Sequence, residues 1–90
     1  MARHLYTVSD TFFLQGRGVV LIPGIKPVDD ELFRIGDPIV LRKPDGTTMN
    51  TEIGGIEMLD PNPNYEVVIM LKGLTKDDVP VGTEVWSANS

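Results

Sequence analysis

Short apolar runs broken by turn residues fill this chain, and no stretch sustains a helical period. Leu5 to Val8 and Thr11 to Gln15 read as a first strand interrupted near Ser9-Asp10, and Val19 to Ile22 as a second, ended by Pro23-Gly24. Residues 26–31 form a charged connection. Phe33 to Asp37 leads into a strand from Pro38 to Arg42, in which alternation puts Ile39 and Leu41 on one face. Asp45-Gly46 supplies a turn, since glycine takes positive φ at no steric cost. Thr47 to Leu59 reads as a long strand whose Gly54-Gly55 marks a bulge or a close backbone approach. Asp60 to Asn64 carries two prolines and is irregular. Tyr65 to Leu71 is almost wholly apolar, the pattern of a strand covered on both faces or lining a barrel. Thr75 to Asp78 predicts one capped helical turn, and Val81-Gly82 turns into a last strand, Thr83 to Ser87. The class is all-β. A small closed antiparallel β-barrel is expected, because closure removes edges that invite aggregation.

Bulk numbers narrow this picture. A chain of 90 residues makes a single domain spanning 1–90. Thirteen acidic against 8 basic side chains give a net charge of −5, which argues against non-specific phosphate binding. With no cysteine, disulfides, thiolate catalysis and Cys-ligated zinc are excluded. The N-terminal MARHLYTVSD has no apolar leader and no run approaches the roughly 18 apolar residues of a membrane span, so a soluble, cytoplasmic protein with no membrane partner is expected.

Gly16-Arg17-Gly18 sits between the first two strand runs and fits a sharp reversal between antiparallel strands. The Arg17 stem would cover apolar surface while its guanidinium pairs with a carboxylate or carbonyl; the alternative is a role in ligand binding. Four further motifs follow in order: Ile35-Gly36-Asp37 before a strand, then Gly55-Ile56-Glu57-Met58, then Leu71-Lys72-Gly73-Leu74, and Val81-Gly82 before the final strand. In this order and spacing, over about residues 8–87, the chain resembles the second domain of elongation factor Tu, the β-barrel shared by translational GTPases.

The resemblance implies a barrel of that second-domain type, here standing alone as a non-enzymatic binding module associated with RNA or a ribosome-associated protein. In that family the domain receives the terminal adenosine of aminoacyl-tRNA. Matched residue by residue, the apolar lining falls on Leu14, Val20 and Met70, and the carboxylate against the base on Glu57. No GxxxxGK[ST] loop occurs, so GTP is not an expected ligand, and no cofactor or metal is expected. Two departures favour plain barrel packing of those residues: Asp60 replaces a basic family residue, and the loop after it shortens to Pro61-Asn62-Pro63-Asn64. One stacked base contributes about 1–3 kcal/mol, whereas micromolar binding needs roughly 8 kcal/mol. Such a pocket alone binds at millimolar concentration at best. The alternative is a protein–protein interaction module on the same barrel, with no RNA role. Arg17, Asp60, Asn62 and Asn64 are the candidate partner contacts on either reading.

Enzymatic readings are poor. His4 is the one histidine and lies near the N-terminus. Asp29-Asp30-Glu31 lacks calcium-loop spacing and reads as a solvated turn. Ser9, Ser87 and Ser90 have no base to activate them. Trp86 reads as a barrel-closing side chain, with a ligand platform as the alternative.

Overall fold

A computed structural model describes residues 2–58 and 65–88. Eight strands and one 3-10 turn make up the described chain: β1 (His4–Thr7), β2 (Asp10–Leu14), β3 (Gly18–Ile25), β4 (Pro38–Arg42), β5 (Thr48–Glu52), β6 (Gly55–Glu57), β7 (Val67–Lys72), the turn Lys76–Asp78, and β8 (Glu84–Ser87). They form two antiparallel four-stranded sheets, ordered β1-β8-β4-β5 and β2-β3-β7-β6.

Alternation along each strand builds the core. Leu21 and Val19 of β3, Ile39 and Leu41 of β4, Ile69 and Leu71 of β7 and Val85 of β8 meet between the sheets with Val8, Ile25, Ile53 and Val79. Burying each such side chain contributes roughly 1.5–3 kcal/mol, which is what holds two short-stranded sheets together. β7 is covered on both faces as its apolar run predicts, since Val68 and Met70 point away from this core and pack with Val20 in a separate cluster.

The ladders do not close into the expected barrel. Each sheet keeps two edges, and the chain itself passes from one sheet to the other at two corners. At the first, between β1 and β2, the Val8 amide donates to Thr83 O (2.8 Å) while the next amide, Ser9, donates to Ile22 O of the other sheet (2.8 Å). At the second, between β5 and β6, the Ile53 amide donates to Asp37 O (2.9 Å) and the Gly54 amide to Met70 O (2.8 Å). Successive amides at each corner serve different sheets, so the corner is a bend rather than a ladder rung. Gly54 permits the second bend: a Cβ there would lie 2.9 Å from Lys72 N and 2.7 Å from Lys72 Cγ.

Three local expectations change. The long strand read from Thr47 to Leu59 is two strands, β5 and β6, in different sheets, because the chain bends at Ile53-Gly54. Pro23-Gly24 does not end the second strand; β3 runs on to Ile25. Leu21 pairs with Ile69 and Ile25 with Val67, so four steps along β3 match two along β7, and the proline occupies a bulge where no ladder donor is needed. Trp86 does not close the interior. It alternates with buried Val85 and faces outward on the first sheet, in register with His4 and Val40. Its Nε1 donates to Glu84 Oε1 (3.0 Å), and the His4 ring meets it edge-on with centroids 5.3 Å apart. The capped turn is present: the Asp78 carboxylate accepts from the Thr75 amide (2.8 Å) and hydroxyl (3.2 Å).

Candidate functional site

The outer face of the β2-β3-β7-β6 sheet carries the site. Period-two alternation places Phe12 and Leu14 of β2, Val20 and Ile22 of β3, and Val68 and Met70 of β7 on that face. Cross-strand register then lines up Phe12, Val20, Met70 and Gly55 in one row across all four strands. The row ends at a residue with no side chain, which leaves a hollow at the β6 edge. A Cβ at Gly55 would sit 2.9 Å from Met70 Cε.

Gly16-Arg17-Gly18 makes the β2–β3 reversal, closed by the Arg17 amide donating to Leu14 O (2.9 Å). Gly16 has φ +79°, and Gly18 lies so close to β7 that any Cβ would strike the Leu71 carbonyl. The turn swings the Arg17 side chain back over the sheet, where Nη2 lies 3.0 Å from Glu57 Oε1. The sequence expected a carboxylate or carbonyl partner for Arg17; the partner is the Glu57 that the resemblance singles out.

A groove of about 370 Å³ opens beside this ion pair, lined by Phe12, Leu14, Arg17, Val20, Ile22, Glu57 and Met58. Leu14, Val20 and Glu57, three of the four residues named for a ligand, therefore face one space. Met70 does not line that groove. It is 3% exposed beside Val20 and contributes to the adjoining hollow of about 360 Å³, with Gly16, Arg17, Gly54, Gly55 and Lys72. The sequence reading missed Phe12, Ile22 and Met58; alternation with Leu14 and Val20 puts the first two on the same face, whereas Met58 lies just past the end of β6, where no alternation places it. Phe12 is 53% and Met58 92% exposed, so the apolar surface continues past the groove. Asp60, Asn62 and Asn64, the other candidate partner contacts, lie outside the described residues.

The remaining chemistry-bearing groups have structural partners. Glu31 accepts from Arg3 Nε (3.0 Å) and from the Val28 amide (2.9 Å), and the Arg3 hydrogen bond, followed by that of Val28, holds its carboxyl below the usual carboxylate range. His4 Nε2 lies 3.1 Å from Thr7 Oγ1. Ser87 Oγ accepts from the Arg3 amide (2.8 Å), and Ser9 Oγ donates to Ile22 O (3.3 Å). Among the described residues, no three His, Cys, Asp or Glu side chains gather in a metal-ligating cluster, and no helix is long and apolar enough to cross a membrane.

The groove can hold a flat apolar body and offer one carboxylate edge as acceptor. No protein-family model, curated protein or solved structure matches the chain.

Proposed function

We propose that this chain is a non-enzymatic binding module of the translation-factor second-domain type, and that the outer groove of its β2-β3-β7-β6 sheet takes a nucleobase at the end of an RNA strand. One observation carries the reading: Leu14 and Val20 of one hairpin and Glu57, distant in sequence, all singled out by the resemblance, line one groove of about 370 Å³. The Phe12 ring and the aliphatic Leu14, Val20 and Ile22 support a base face, and the Glu57 carboxylate accepts from an amino edge. The barrel reading draws support from the two bent corners, where one continuous chain serves both sheets.

Affinity is set by one stacked base and its edge, so dissociation constants fall in the millimolar range. The test is an NMR titration with adenosine and with a short oligonucleotide ending in adenosine. The expected result is weak, saturating shifts centred on Leu14, Val20 and Glu57, with adenosine binding almost independent of salt. Shifts scattered over the surface, or none at these residues, would refute it.

A protein partner on the same face is the second reading, favoured by the exposure of Phe12 and Met58, which extends the apolar surface beyond what one base covers. Its mark would be Phe12→Ser and Met58→Ser abolishing capture of a partner by a wild type that shows no focused adenosine shifts.

A further inference from the structure

The carboxylate offered to a base is not bare. Arg17 caps it, with the arginine side chain 54% exposed and that of Glu57 only 20%. Arg17 also lines both the base groove and a second hollow. That second hollow, about 360 Å³, has a distinctive lining. Gly16, Gly54 and Gly55 line it together with the apolar Ile35, Ile56 and Met70, Arg17 and Lys72 are its two basic residues, and no carboxylate contributes. Lys72 adds a positive charge there beyond that of Arg17, which Glu57 balances, on a chain of net charge −5.

We infer that the second hollow is a phosphate subsite and that Arg17 makes the module prefer a nucleotide to a nucleoside. This rests on the nucleobase reading of the groove. A neutral nucleoside that reaches Glu57 displaces the guanidinium and gives it only water in return. A nucleotide replaces both halves of the ion pair: its amino edge takes Glu57, and its phosphate takes Arg17, with Lys72 on the other side of the hollow. Exposed ion pairs are weak, so the exchange meets little resistance. Of the three glycines, Gly16 has nothing within 4 Å of where a Cβ would lie, and it leaves room for phosphate oxygens beside the backbone at that end of the hollow.

The chemistry is shared by a free nucleoside 5′-monophosphate and by the last phosphodiester of an RNA strand. The experiment compares adenosine, AMP and a short oligonucleotide ending in adenosine by NMR titration of the wild type, Arg17→Ala, Lys72→Ala and the remote control Lys43→Ala. Wild type and Lys43→Ala should bind AMP about twofold to fivefold more tightly than adenosine, the scale of an exposed charge pair. Added salt should shrink this preference but leave adenosine binding unchanged. Arg17→Ala should abolish the preference and, by uncovering Glu57, leave adenosine affinity equal or higher; Lys72→Ala should reduce the preference. Loss of the same Arg17 dependence from the oligonucleotide arm alone would identify the free nucleotide as the source of the phosphate. Equal binding of AMP and adenosine at Leu14, Val20 and Glu57, unaltered by Arg17→Ala, overturns the phosphate subsite while the nucleobase groove stands. Absence of focused shifts with every ligand overturns both. A purely structural Arg17 would change stability without changing the AMP-to-adenosine ratio, and that outcome also counts against the inference.

Discussion

Gly16 and Gly18 flank the same arginine, and from sequence both should cost more than about 1 kcal/mol to replace. The structure separates them. A Cβ at Gly18 would lie 2.0 Å from Leu71 O, 2.8 Å from Leu71 C and 3.0 Å from Lys72 Cα, all main-chain atoms of β7. Leu71 is fully buried and cannot retreat without disturbing the core. For Gly18→Ala, β3 and β7 must part by roughly 1 Å at the Gly18–Lys72 end of the ladder, losing one or two hydrogen bonds at about 1 kcal/mol each. Loosened packing of Val19 against Leu71 adds a comparable amount, so the total is about 3 kcal/mol or more. At Gly16 nothing lies within 4 Å of the added Cβ, and the cost of Gly16→Ala is only that of holding alanine at φ +79°, about 1 kcal/mol. Urea unfolding followed by the fluorescence of Trp86, the single tryptophan, reads both variants from the opposite sheet and so reports global unfolding. Gly18→Ala should lower the midpoint by about three times as much as Gly16→Ala, or prevent folding. Coincident midpoints would show that β7 does not pass where the structure puts it.

Two further outcomes concern pH. Glu31 is held below the usual carboxylate range by Arg3 and the Val28 amide, so its contribution is present above its unfolded pKa and lost as pH falls through the folded one. The stability gap between wild type and Glu31→Gln should therefore be widest near neutral pH and close on acidification; a gap that persists in acid contradicts the pairing. Burial pushes the Tyr6 hydroxyl far above its ordinary value, while its O–H donates to Leu21 O at 3.3 Å. The unfolded chain ionises this group near pH 10 and the folded one does not, so stability should fall as pH rises past about 10. In Tyr6→Phe that alkaline decline should be shallower, and identical slopes would place Tyr6 in contact with water.

The sequence alone determined the local elements of this protein, because strand alternation and turn chemistry act over a few residues. Ile39 and Leu41 on one face, the Asp45-Gly46 turn, the Thr75-to-Asp78 cap and the doubly covered β7 are all legible that way. The bend at Gly54 is legible too, since a glycine pair inside a strand pattern signals close approach. Pro23-Gly24 shows where such signals stop: the same dipeptide ends a strand or bulges within one, and only pairing with Val67 and Ile69 decides which. Trp86 faces outward because β8 lies between β1 and β4 with Val85 turned inward, a register no local pattern specifies. The closed barrel expected from the sequence does not form, since whether successive amides at Val8-Ser9 and Ile53-Gly54 bond to one sheet or to two depends on strands far away in the chain. The same holds for the site. Alternation offers Leu14, Val20 and Glu57 to a surface, but it is the pairing of β2, β3, β7 and β6 that brings Arg17 onto Glu57 and buries Met70 in the row between Val20 and Gly55.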